Sequence, residues 1–278
     1  MKIYHKFPFL LMMLVSFFSF GQTTSVMSYN IRYDNPKDGA NWWENRKESV
    51  EDLINTYQPE IFGIQEGLHH QVEYLDDSLS QYQYIGVGRD NGKTKGEYSA
   101  IFYNVTKYTL LDQSTFWLSE KSNKPSVGWD ASMERICTYG LFEHKELGNK
   151  IWVFNAHYDH IGPMARIMSS KLILSKIKEL NEEGFPVVLM GDLNSTPNSE
   201  PIQTILPELE DTFAILEKVH EGPIGTFNGF DPERELDNRI DYVFVKDIKV
   251  TSHTHVNDRR KDGFFISDHL PVFAKLEF

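Results

Sequence analysis

Asp192 and Asn194 stand two residues apart and are the first side chains in this sequence with an evident chemical use. They lie in Pro186–Pro197 (PVVLMGDLNSTP), where the apolar run Val187–Met190 gives way to a glycine and then to polar residues. A short run rich in β-branched residues reads as a buried strand. In an extended segment, residues i and i+2 point to the same side. A carboxylate and a carboxamide therefore project together from the strand's carboxyl end, where open α/β sheets form their ligand sites. Taken alone, the stretch reads equally well as an Asp-rich turn.

Four other apolar runs end in the same way. Val26–Asn30 (VMSYN) ends in Asn30, and Ile61–Glu66 (IFGIQE) in Glu66. Ile151–Asp159 (IWVFNAHYD) opens onto Asn155, His157 and Asp159, which alternation places on one side, with His160 next. Ile240–Val245 carries Asp241 at its start and is followed downstream by Ser267-Asp268-His269. A buried-looking strand that ends in a bare carboxylate needs a cation, a metal or an exposed rim beside it. Hard oxygen donors suit Mg²⁺, and Glu66, Asp268, Asp192, Asn30 and Asn194 are such ligands or their neighbours. Zinc-type chemistry is disfavoured, because the chain has no Cys cluster and no HExxH.

In this order the clusters resemble the endonuclease/exonuclease/phosphatase family, the deoxyribonuclease-I-like metal-dependent phosphoesterases, from about Ser25 to the end. The resemblance implies an α/β fold, a four-layer α-β-β-α sandwich of two mixed β-sheets flanked by helices. It implies Mg²⁺ as cofactor, with Mn²⁺ or Ca²⁺ as substitutes. Glu66 is then the main metal carboxylate, with Asn30 beside it, and Asp268 a second. Asp192 orients or deprotonates the attacking water, and Asn194 holds that water or a phosphoryl oxygen. His157 donates to the phosphate. His269 acts as base or electrostatic stabiliser, with Asp241 fixing its tautomer and raising its pKa. Arg166, in the first turn of a helix, and Arg135 are candidate phosphate contacts, although a structural ion pair is an equal reading for Arg135.

GDLNSTPNS is similar to the GDxNSxPxS pattern of deadenylase-like nucleases and their secreted bacterial relatives. The expected activity is a Mg²⁺-dependent phosphodiesterase, foremost a nuclease on DNA, RNA or oligonucleotides. The alternative is a phosphomonoesterase or a sphingomyelinase-type phospholipase C acting on small or lipid phosphoesters. A non-catalytic binding module of the same fold is the third reading. A phosphoester substrate, a monomer and no stable membrane association are expected.

The first 21 residues read as a secretory signal peptide: Lys2 and Lys6, an apolar stretch Phe7–Phe20, then a cut before Gln22. Residues 22–278 then form one secreted or periplasmic catalytic domain. The net charge of −12 grows more negative once those two lysines leave, so bulk electrostatics repel polyanions. The single Cys137 excludes an intrachain disulfide and reads as a small core residue.

Helices are expected at Arg46–Tyr57, Leu68–Leu79, Pro163–Leu180 (apolar stripe Ile167, Leu174, Ile177) and Ile202–Leu206. Arg89–Glu97 reads as a polar hairpin loop whose cations face solvent in preference to a phosphate. Leu118–Glu134 is a long polar connection of the kind that often carries function. Arg259-Arg260-Lys261 is the most basic run.

Overall fold

The computed structural model describes residues 23–278, so the N-terminal segment read as a signal peptide lies outside the described residues. The elements, in chain order, are β1 (Thr23–Asn30), α1 (Lys47–Tyr57), β2 (Ile61–Gln65), α2 (His69–Ser78), β3 (Tyr82–Ile85), β4 (Ile101–Asn104), β5 (Tyr108–Trp117) and β6 (Ile136–His144). They continue with β7 (Lys150–His157), α3 (Pro163–Leu180), β8 (Val187–Asp192), α4 (Glu200–Ile205), β9 (Glu210–Asp211), α5 (Thr212–Ile215), β10 (Asp241–Lys246), β11 (Lys249–His255) and β12 (Val272–Glu277).

Two six-stranded mixed sheets form, in the orders β11-β12-β1-β2-β4-β3 and β5-β6-β7-β8-β10-β9. Each holds one parallel pair, β1–β2 and β7–β8, and each pair is bridged by a helix, as a parallel crossover requires. Strands covered on both faces must be apolar throughout, and β8 shows why. Val188 and Met190 enter the core between the sheets, while Val187 and Leu189 pack under α3 and α4. On the other side, Met27, Phe62 and Ile64 pack under α1 and α2. Each such side chain contributes roughly 1.5–3 kcal/mol by leaving water. The result is the four-layer α-β-β-α sandwich of the sequence expectation.

Strand direction positions the site. Asn30 and His157 close the parallel strands β1 and β7, opposite Gln65 and Asp192 respectively. The first residue of β10, Asp241, pairs with Asp192 from the other side. Since β12 runs antiparallel to β1, Asp268 and His269, just ahead of it, arrive at the same end. Gly191 is needed there: its φ is +147° and a Cβ would sit 1.9 Å from the Ala156 carbonyl oxygen.

Several expectations need correction. On α3 the buried side is Ala165, Ser169, Ser170, Ile173 and Ile177, so the true stripe holds small residues and Ile167 lies off it. Periodicity of large apolar residues misses such a stripe, because the serines bury by bonding to carbonyls, Ser169 to Ala165 and Ser170 to Pro201. Asn155 shares the inner side of β7 with His157, as alternation predicts, but it does not line the pocket. It is buried between the sheets, where its amide donates to the carbonyls of Ile64 and Ala100 and its oxygen accepts from Gln65. The short β9 and α5 carry no period that a sequence could show.

Candidate active site

A pocket of about 710 Å³ opens at this end of the sandwich. Its centre is Asp192, which is buried. One of its carboxylate oxygens accepts from Asn30 Nδ2 at 3.0 Å and the other from the Asn194 backbone N–H at 2.9 Å. The ring nitrogens of His157 and His269 approach it at 3.5 and 3.8 Å. Burial drives the Asp192 carboxyl up to about 7, against the pull of His269 and with the push of Asp241 and Glu66.

His269 is set by its partners. Its Nδ1 lies 2.8 Å from Asp241 Oδ2, which also accepts from the Thr226 hydroxyl at 2.6 Å. Burial alone would depress its pKa, but Asp241 and Asp192 raise it well above the ordinary value. His157 is the opposite case. Burial, then the guanidiniums of Arg135 and Arg89, hold it well below. A neutral ring can accept, and Arg135 Nη1 and Asn194 Nδ2 reach it at 3.1 and 3.2 Å.

Glu66 and Asp268 form the acidic wall. Asn30 Nδ2 and the Tyr33 N–H donate to Glu66 at 3.0 and 3.1 Å, and Arg32 Nη1 lies 3.8 Å from Glu66 and 3.7 Å from Asp268. Asn30 turns its amide nitrogen, not its oxygen, toward the carboxylates; the oxygen accepts from the Arg32 N–H. Arg32, Glu66 and Asn194 all have φ between 45° and 65°, backbone strain of the kind that concentrates at functional sites.

The donor set fits a divalent cation. Ligand atoms of Glu66, His157 and Asp192 lie within 4.8 Å of one another, as do those of Asp192, Asp241 and His269. Burial raises Asp268 and Asp192, whereas His269, Asn30 and Arg32 lower Glu66 against its burial; a cation would relieve the two raised carboxyls.

All of Asn30, Glu66, His157, Asp192, Asn194, Asp241, Asp268 and His269 therefore converge at this end of the fold. Arg135 lines the pocket and also lies 3.5 Å from Asp159, the structural ion pair that was one of its two readings. Arg166 does not line the pocket. It donates to the Asp159 carbonyl at 3.0 Å and borders a neighbouring groove with Ser195 and Ser199. The Arg89–Glu97 loop is not merely solvated: Arg89 and Glu97 line the pocket, whereas Lys93 and Lys95 are exposed. Sequence reasoning missed Arg32, Glu97 and Met133. Arg32 lies two residues beyond Asn30, and this spacing was its only signal.

Comparison with known proteins agrees with this geometry. Over 92% of its length the chain superposes on all of a mannosyl-6-phosphatase of Bacteroides thetaiotaomicron, with TM-score 0.86 and 37% identity. It is 27% identical to the uncharacterised protein L388 of Acanthamoeba polyphaga mimivirus, covering 84% of this chain and 92% of that one. The human Nocturnin catalytic domain shares the fold alone, at 19% identity and TM-score 0.74, with 92% of this chain and 94% of that one covered. Residues 27–269, which include every side chain of the pocket described above, match the sequence model of hydrolytic phosphoesterases called the endonuclease/exonuclease/phosphatase family, and the chain belongs to that family.

Proposed function

We propose that the protein is a divalent-metal-dependent phosphomonoesterase acting on a small phosphorylated substrate of the sugar-phosphate type. The observation that carries phosphoester hydrolysis is the convergence of Asp192, Asn194, His157 and the Asp241–His269 pair beside the Glu66–Asp268 wall. Glu66 and Asp268 would hold the cation, here taken as Mg²⁺, with Asn30 fixing Glu66 and Asp192. When bound, that cation supplies Lewis-acid neutralisation of the phosphoryl oxygens. Asp192 takes the proton of the attacking water, held by Asn194, as the ester P–O bond breaks. His269, kept protonated by Asp241, gives its Nε2 proton to the leaving oxygen. Arg135 and His157 stabilise charge on the transferred group.

The monoester preference draws support from the 37% identity to the mannosyl-6-phosphatase and from the state of the surface cations. In the basic run, Arg260 is buried and paired with Asp262 at 2.6 Å, and Arg259 stacks on Phe265. No track for a polyanion backbone is built from them, so a nuclease has less support than the sequence alone suggested. The N-terminal segment is proposed as a cleaved export signal. Among the described residues no helix is long and apolar enough to cross a membrane.

The test is a panel of hexose 6-phosphate, sphingomyelin, plasmid DNA and poly(A), each with Mg²⁺, Mn²⁺ or chelator. Phosphate release from the sugar phosphate, abolished by chelator, is expected. Cleavage of nucleic acid without monoester turnover would overturn the proposal.

A further inference from the structure

Beyond the His157 ring from Asp192, the pocket has a second polar wall. His157 Nε2 faces Asp192 at 3.5 Å and Nδ1 faces Glu97 at 3.9 Å. Glu97 holds Arg89 in a fork, Nη1 to Oε2 at 2.5 Å and Nη2 to Oε1 at 2.9 Å, with Met133 Sδ 3.1 Å from the same Nη2. Arg89, Glu97 and Met133 have no part in moving a proton or in neutralising the phosphoryl group in the proposed reaction.

The loop that carries the pair is built to hold it still. Arg89 N–H donates to the Glu97 carbonyl, Asp90 N–H to the Lys95 carbonyl and Gly88 N–H to the Lys93 carbonyl. Asn91 Oδ1 accepts from the N–H groups of Lys93 and Lys95. Trp117 Nε1 donates to the Arg89 carbonyl at 2.7 Å, and the Tyr98 hydroxyl to that of Lys93. The chain passes itself so closely that a Cβ on Gly88 would sit 2.4 Å from the Lys95 carbonyl oxygen. A largely buried ion pair is a poor source of stability, and a pinned loop is an unusual place for one unless its geometry has a use.

We propose that the Arg89–Glu97 fork, with Met133 beside it, is the subsite for the leaving group and that it selects leaving groups rich in hydroxyls, such as a sugar ring. This deepens the phosphomonoesterase reading and rests on it. Nη1 keeps a second hydrogen, Nη2 directs its own toward Met133 Sδ, and each carboxylate oxygen has further lone pairs, so donor and acceptor stand side by side. A hydroxyl both donates and accepts, and two adjacent hydroxyls match such a fork. A second anionic group does not fit: Glu97 covers Arg89, and Asp159 lies 3.5 Å from Arg135 Nε. Met133 offers an apolar contact to the carbon face of a ring.

The experiment compares kcat/KM for hexose 6-phosphate and for p-nitrophenyl phosphate, which has no hydroxyls, in the Mg²⁺-loaded wild type, Glu97→Gln and Arg89→Lys. A site built to bond hydroxyls loses its preference when its partners are mismatched. The ratio of the two kcat/KM values should fall at least about tenfold in either variant, carried by KM for the hexose phosphate. If the ratio holds while both activities fall together, the fork is a structural pair and the subsite is refuted. If the wild type turns over neither monoester, the phosphomonoesterase reading fails and the subsite falls with it. Arg89→Lys decides the matter should Glu97→Gln not fold, as judged by circular dichroism.

Discussion

His269 and the pair His253 and His255 are all buried, yet their surroundings push them in opposite directions. His269 keeps a carboxylate on Nδ1 and another near Nε2, and is raised well above the ordinary histidine range. His253 and His255, on β11 against α5, have only neutral partners: the Thr212 hydroxyl at 2.9 Å and the Pro223 carbonyl at 2.7 Å. Their Nε2 atoms have no hydrogen-bond partner. Burial, with Arg239 and His220 nearby, lowers His253 to about 2 and His255 to about 4. Removal from water favours the neutral ring, and a carboxylate in contact reverses that preference. One ring is prepared to give a proton, and two are fixed as neutral packing groups.

The most severe way to break this contrast is Asp241→Asn, which leaves the shape and removes the charge. His269 should then titrate well below its wild-type value, as read by imidazole NMR. The kcat for phosphoester turnover should fall by roughly 10²–10⁴-fold, the usual worth of a positioned acid–base group. A His269 resonance that stays raised in this variant would mean that Asp192, not Asp241, holds the proton.

A smaller effect sharpens the other half of the contrast. Both folded-state values, about 2 and about 4, lie below the ordinary 6.5. As pH falls below about 6.5, the unfolded chain binds protons that the folded chain refuses. Stability from these two rings is therefore complete above that pH and is lost progressively toward pH 4, by a few kcal/mol. The thermal midpoint should drop across this window in wild type and drop less in a His253→Gln, His255→Gln double variant. Equal slopes for the two proteins would show that other groups set the acid limb.

Much of this was legible in the sequence. Apolar runs ending in Asn30, Glu66, His157 and Asp192 were visible because strands buried on both faces leave no doubt about where they stop. Their convergence was implied by the family resemblance, and the strand directions of the fold account for it. What stayed hidden were roles set by contacts distant in sequence. Asp130 caps α3 from 34 residues upstream through the Met164 and Ala165 N–H groups. Asn155 had the right spacing to face the pocket, but Gly63 leaves the hollow that receives it: a Cβ there would lie 2.5 Å from Asn155 Cγ. Nor does spacing separate Arg89, turned inward onto Glu97, from Lys93 and Lys95 in the same loop.

The two arginines near the site give the smallest and most discriminating contrast. Arg135 is buried, with its guanidinium between His157, His160 and Asp159. Arg166 is half-buried and spends one Nη on the Asp159 carbonyl. The sequence offered both as candidate phosphate contacts, with a structural ion pair as an equal reading for Arg135. Arg135→Ala removes charge next to the transferred group and leaves Asp159 with less compensation, so both kcat and folding should suffer. Arg166→Ala removes one hydrogen bond, to the Asp159 carbonyl, from a side chain that borders the neighbouring groove and not the pocket. Its cost should be about 0.5 kcal/mol or less, near twofold in kcat/KM. Steady-state kinetics on the same monoester decides it: a loss for Arg166→Ala as large as that for Arg135→Ala would mean that the substrate extends past Asn194 into the groove beside α3.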